Sequence, residues 1–230
     1  MDLYVPRSAK PVPVVVWIFG GSWRFGSKGF HVNVRDLTRH GIAVASIQYR
    51  LSDKAVYPAQ LDDCRTAVQW LRDNSSRYGL DPQRIGVSGE SAGGHLAALL
   101  GTTEGSPKIR AVFAMYPPTD LVELSGESKS SDEPSDIEKL LGGPIQQKLA
   151  LAAEASPVTH VSATSPPFLL IHGARDELVS IAQSKKLIRR LSRARVEANL
   201  IVLPEQDHWF SLNSDQVATV ADFFHRHFYP

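Results

Sequence analysis

The sequence predicts an α/β fold, a mostly parallel sheet of about six or seven strands with helices on both faces. Two observations predict it. Short, continuously apolar, β-branched runs recur along the 230 residues, and longer stretches of helical period separate them. A strand covered by helices on each side reads as an unbroken apolar run, because neither of its faces meets water.

The predicted strands are 12–19, 42–48, 84–88, 111–115, 168–172 and 198–202. Between the second and third, Leu61, Cys64, Val68 and Leu71 recur at helical spacing, predicting a helix over 58–78 that Gly79 stops in a left-handed conformation. A helix over 32–40 ends at Gly41, and another covers 181–191. Val217, Val220, Ala221, Phe224 and Phe228 mark an amphipathic terminal helix. Residues 125–135, dense in Ser, Glu, Lys and Asp, have little to bury and are expected to form an exposed, mobile loop. The chain is therefore expected to be one domain over 1–230, with a small cap or insertion at 121–166.

Composition excludes several classes of function. With 43% hydrophobic residues, 21% charged and a net charge of +1, the chain is neither disordered nor a polycation suited to nucleic acid. Its longest apolar run, Val14 to Phe19, has six residues, whereas a bilayer needs about 20. One cysteine, Cys64, makes neither an internal disulfide nor a cysteine-rich metal cluster. The opening residues lack a secretory pattern, so the expected location is cytoplasmic.

The chemistry is concentrated in Gly89-Glu90-Ser91-Ala92-Gly93, which stands between a short strand and an apolar helix. This is the form of a nucleophile elbow, in which a sharp strand-to-helix turn exposes a serine hydroxyl. The same turn aims the first helical amides, Ala92's among them, at a developing oxyanion. Serine is a poor nucleophile at neutral pH and needs a base oriented by a third group. His208 lies between the last strand and the terminal helix and is the expected base, while Asp176, after the 168–172 strand, is the expected acid. Glu177 is its nearest rival; Asp207 is poorly placed beside His208. The remaining candidates His95, His160, His172, His225 and His227 read as structural.

Taken together, the elbow, the Ser91, Asp176, His208 order and Phe19-Gly20-Gly21-Ser22-Trp23 after the first long strand resemble the α/β-hydrolase superfamily. More narrowly, the chain is similar to the hormone-sensitive-lipase-like esterases and the related feruloyl-esterase-like and arylformamidase group. The resemblance implies an oxyanion hole from the amides of Gly21, Ser22 and Ala92, with Gly20 permitting the turn. It also exposes a departure, since Phe19 stands where these families carry a histidine that props the loop, and weakened preorganisation is expected. Relatives generally carry one or two antiparallel strands before the segment matching Asp2-Leu-Tyr-Val-Pro, so a reduced sheet with an exposed or dimer-paired edge is expected.

The implied function is a serine hydrolase that cleaves short-chain, aryl or sugar carboxylic esters through an acyl-enzyme, with no metal or organic cofactor. Trp23, Glu90, Tyr116 and Trp209 are the candidate pocket residues, with Phe25 and Phe210 nearby. Two alternatives stay open at this point, an arylformamidase-like amide hydrolase and a non-catalytic small-ligand binder on a hydrolase scaffold. The expected partner is a small-molecule ester, with a homodimer possible and neither nucleic acid nor membrane involved.

Overall fold

The computed structural model describes residues 1–29, 34–127 and 133–229. Its centre is a seven-stranded sheet made of β1 (Asp2–Tyr4), β2 (Val12–Ile18), β3 (Ala43–Ser46), β4 (Leu80–Glu90), β5 (Val112–Met115), β6 (Phe168–Gly173) and β7 (Ala198–Leu203). The spatial order is β1-β3-β2-β4-β5-β6-β7, with β1 antiparallel to β3 and every other pair parallel. The helices are α1 (Ala59–Asp73), α2 (Ala92–Thr102), α3 (Leu121–Glu127), α4 (Asp136–Leu141), α5 (Leu149–Glu154), α6 (Pro157–His160), α7 (Ala182–Arg193) and α8 (Ser214–Phe228).

Each central strand buries both faces, as an unbroken apolar run requires. In β2, Val14, Val16 and Ile18 face a core shared with α1, α2 and α7, while Val15 and Trp17 face a second core closed by α8. The sheet is thus the middle of three layers. Helix α2 is buried on all sides from Ala92 to Leu100 and packs against β4 and β5, which fixes the position of its first turn.

Sequence and structure differ in several places, and β4 runs from Leu80 to Glu90 where 84–88 was expected. The helix expected over 58–78 ends at Asp73, and a 3-10 turn, Ser75–Tyr78, carries the chain to Gly79, which takes φ 65° as expected. The helix expected over 32–40 is a 3-10 helix, Val34–His40, and 32–33 fall outside the described residues. Of the loop expected over 125–135, residues 125–127 belong to α3, and 128–132 fall outside the described residues. The strand β1 was absent from the expected set, because three half-buried edge residues carry no apolar run and owe their extended form to pairing with β3.

Sheet topology decides where a site can form. The chain leaves β2 toward β3 on one side and leaves β4 toward β5 on the other, so a crevice opens beyond the carboxyl ends of these adjacent strands. The Gly20 loop leaves β2 there, and Ser91 leaves β4 there, with Ile18 and Gly89 in register across the pair.

Candidate active site

Ser91 is the residue between β4 and α2, with φ 49° and ψ −120°. A non-glycine residue pays for positive φ, and tertiary contacts hold this one in place. Its amide donates to the Met115 carbonyl at 2.9 Å, and its own carbonyl accepts from the His95 amide at 2.9 Å. The flanking glycines answer to crowding. A Cβ on Gly93 would stand 2.1 Å from the Ile18 carbonyl oxygen, and one on Gly89 would stand 2.4 Å from the Gly93 carbonyl oxygen.

The three residues expected to work together are brought together. Ser91 Oγ lies 3.0 Å from His208 Nε2, and His208 Nδ1 lies 2.7 Å from Asp176 Oδ2. Because a carboxylate accepts at Nδ1, the imidazole proton sits there, and Nε2 is bare to accept from the serine hydroxyl. All three are buried, His208 to 3% exposure.

Asp176 is anchored by more than the base. Its Oδ1 accepts from the amides of Val179 and Leu178 at 2.8 and 3.0 Å, and its Oδ2 also meets His172 Nε2 at 3.2 Å. Burial alone would raise this carboxyl, but hydrogen bonds from His172, His208 and Val179 outweigh it and hold the group well below its ordinary value. His172 is structural as expected, and it also touches the acid. Its Nε2 faces two acceptors, Asp176 and the Val179 carbonyl at 2.8 Å, so it carries the proton, while Nδ1 meets Ser184 Oγ at 2.7 Å. Glu177, the rival acid, is exposed, and Asp207 accepts from the Trp209 amide at 2.8 Å.

The Gly20 loop passes over the elbow, where a Cβ on Gly20 would lie 3.1 Å from the Glu90 carbonyl oxygen and 3.3 Å from Ser91 Cβ. Gly21, Ser22 and Trp23 all take positive φ, at 104°, 51° and 59°, and the Gly21 carbonyl accepts from the Arg24 and Phe25 amides. Ser22 and Trp23 of this tight turn line the same cavity as Ser91 and Ala92.

The loop has a prop although its histidine is missing. Phe19 stacks on Tyr49 with centroids 4.4 Å apart, and the Tyr49 hydroxyl donates to the Phe19 carbonyl at 3.1 Å. Further along, the Trp23 indole N–H donates to His95 Nδ1 at 3.1 Å, and His95 Nε2 meets the Ala155 carbonyl at 2.6 Å. The chain between β5 and β6 is tied to the loop in this way, and again by an Arg24–Asp136 ion pair of 2.7 Å.

A cavity of about 130 Å³ opens on Ser91, walled by Ser22, Trp23, Leu124, Ile137, Leu178 and Val179 among others. Of the four residues expected at the pocket, Trp23 lines it. Glu90 and Tyr116 do not, being 5% and 1% exposed behind the loop, where the Tyr116 hydroxyl donates to Glu90 Oε2 at 2.9 Å. Trp209, 68% exposed, is outside the wall because the chain turns it to solvent beside His208, ring centroids 5.0 Å apart. Phe25 is exposed too, and Phe210 packs on Tyr116. Sequence reasoning missed Tyr49, the Glu90–Tyr116 pair and the second contact of His172; only the last had a local signal, the spacing of four between His172 and Asp176.

A family model described as BD-FAE matches residues 1–191. The chain belongs to the BD-FAE family. Among curated relatives, it is 32% identical over 219 residues to Esterase LipC of Mycobacterium tuberculosis, covering 88% of this chain and 54% of LipC. It is 30% identical over 214 residues to the same organism's Probable carboxylic ester hydrolase LipM, covering 87% and 50%. The chain thus spans about half the length of the curated relatives it matches. In structure it is similar to a truncated form of a carbohydrate esterase from gut microbiota, with TM-score 0.90, 26% identity, and coverage of 99% of this chain and 90% of that one. A bifunctional GH43-CE protein of Bacteroides eggerthii has TM-score 0.90 and 30% identity, covering 98% of this chain and 33% of that one. The architecture of this BD-FAE member is the α/β-hydrolase fold, of the carboxylesterase group.

Proposed function

We propose that this chain is a serine-dependent carboxylic ester hydrolase working through an acyl-enzyme. The observation that carries the reading is the continuous contact from Ser91 Oγ to His208 to Asp176, 3.0 and 2.7 Å, at a strained elbow. Relatives named esterase and carboxylic ester hydrolase, matched over most of this chain, support it over the amide hydrolase and the non-catalytic binder.

In this mechanism Ser91 Oγ attacks the ester carbonyl while His208 Nε2 takes its proton. Asp176 holds the imidazole in its tautomer and stabilises the imidazolium that forms. The oxyanion is received by the amides of Gly21, Ser22 and Ala92, donors fixed before the reaction and costing no reorganisation during it. His208 then protonates the leaving alcohol, water enters, and the same groups free the acid.

The 121–166 excursion serves as a small cap, since Leu124 and Ile137 close the cavity beside the serine. The substrate is a small-molecule ester, and the near-neutral charge supports no nucleic-acid partner. Outer strands β1 and β7 are the edges through which a homodimer would pair. No helix among the described residues is long and apolar enough to cross a membrane.

The test is p-nitrophenyl acetate hydrolysis together with labelling by a fluorophosphonate. Ser91→Ala is expected to lose turnover and the adduct while keeping its circular dichroism spectrum; near-normal turnover in that variant sinks the reading.

A further inference from the structure

Glu90 is a buried acid that the steps above do not use. It sits at the end of β4, 5% exposed, one residue before the nucleophile. A carboxylate is costly to bury without donors, and those around Glu90 all belong to the site. The Tyr116 hydroxyl donates to Oε2 at 2.9 Å, and the Gly20 N–H also favours the ionised form. A Cβ on Gly20 would lie 3.1 Å from Glu90 Cγ, so the oxyanion loop rests directly on this side chain. Tyr116 in turn lays its ring against His208, centroids 4.5 Å apart.

We propose that Glu90 is a positioning residue for the ester reaction: its carboxylate anchors the oxyanion loop at Gly20, holds Tyr116 against His208, and puts a second negative charge near the imidazolium. The proposal rests on the esterase reading and extends it to a residue that touches neither substrate nor reacting atoms. The groups facing this region are few. His208 meets Asp176 and interacts electrostatically with Glu90; Glu90 meets the phenol of Tyr116 and interacts electrostatically with that of Tyr49; and His172 also meets Asp176.

Burial resists ionisation of Glu90 and raises it above its ordinary value, while Tyr116, Gly20 and the charge of His208 oppose the rise. An acid raised by folding favours the folded state least once it is charged. Glutamine keeps an acceptor and removes the charge. A purely structural Glu90 and a positioning one are therefore separated by the rate, since burial gives both the same dependence of stability on pH.

The experiment compares wild type, Glu90→Gln and Tyr116→Phe on p-nitrophenyl acetate across the pH range in which imidazole titrates. For Glu90→Gln the expected result is a kcat lower by roughly 10–100-fold, with KM within about twofold. The acidic limb of kcat/KM moves to lower pH, because the negative charge that interacts with the imidazolium is gone. Its melting midpoint rises relative to wild type as pH goes from acid to neutral. Unchanged kcat with an unmoved limb overturns the proposal, as does a loss of activity that only tracks a lower melting midpoint at every pH. If Glu90→Gln does not fold, Tyr116→Phe decides: a lower kcat at unchanged KM supports the proposal, and wild-type kcat overturns it. Wild-type protein with neither turnover nor a fluorophosphonate adduct overturns the esterase reading as well, whereas an active wild type matched by Glu90→Gln removes this proposal alone.

Discussion

The Tyr49 hydroxyl and the Phe19 carbonyl oxygen are 3.1 Å apart, and the same two residues stack their rings. A side chain thirty positions downstream, from the chain that follows β3, thus braces the strand end from which the Gly20 loop departs. Burial pushes the Tyr49 phenol well above its ordinary value, so it remains a donor. Tyr49→Phe keeps the stack and removes the hydrogen bond. We expect kcat to fall about tenfold at nearly constant KM, and stability to fall by about 1 kcal/mol. Steady-state kinetics beside urea unfolding checks both.

Asp176 gives a prediction in rate and another in acid. With asparagine in its place, His208 is no longer held as the Nδ1–H tautomer, and kcat is expected to drop by about 10⁴-fold, the size of effect known for the chymotrypsin acid. For stability, the folded-state carboxyl is held well below its ordinary value of 3.8. It therefore favours folding above about pH 3.8 and loses that contribution as pH falls through the lower folded value. The stability gap between wild type and Asp176→Asn should narrow in that acid range, as measured by chemical denaturation. A gap constant with pH would contradict the hydrogen-bond arrangement described for this carboxylate.

The legible parts of this protein were those with a local pattern. The inner parallel strands announce themselves because a strand buried on two faces must be apolar at successive positions, as Val14 to Ile18 are, whereas β7 at the sheet edge has the apolar run without the burial. Ser91 is legible because its turn admits only glycine at Gly89 and Gly93, where neighbouring carbonyl oxygens leave no room for a side chain. Asp176 and His208 follow from chain order once the serine is placed. The contacts that brace these groups have no such pattern. Glu90 meets Tyr116 across 26 residues and Trp23 meets His95 across 72, pairings that exist only after the sheet has assembled. The edge strand β1 was hidden for the same reason, being extended through its ladder to β3 rather than through its own composition.

His95 links three segments, accepting from the Trp23 indole and meeting the Ala155 carbonyl from within α2. Complete burial pushes it down from 6.5 to about 4, against the pull of the Ala155 carbonyl. A histidine kept neutral by folding stabilises the protein fully above its unfolded value. That contribution is lost as pH falls from about 6.5 through about 4. Wild type should lose on the order of 3 kcal/mol over this window beyond any loss in His95→Gln, whose side chain does not titrate. Urea unfolding at both ends of the window measures the difference. Equal losses in the two proteins would mean that another group governs acid sensitivity there.

The size of the cavity makes the last prediction, on acyl length. The leaving alcohol must lie beside His208 Nε2 to receive its proton, and His208 is not among the residues walling the cavity of about 130 Å³. The arm that enters this space is then the acyl group. Ligand pockets for larger molecules run to about 300–1,000 Å³, so the space suits a chain of few carbons. Turnover of p-nitrophenyl esters should be highest for acetyl to butyryl and at least about tenfold lower for octanoyl, since added methylenes meet Leu124, Ile137 and Val179. Leu124→Ala should lift kcat/KM for the octanoyl ester relative to the acetyl ester, because it removes side-chain volume from the wall without touching the serine, the histidine or the loop. A flat profile in wild type, or the same profile in both proteins, would place the acyl group elsewhere.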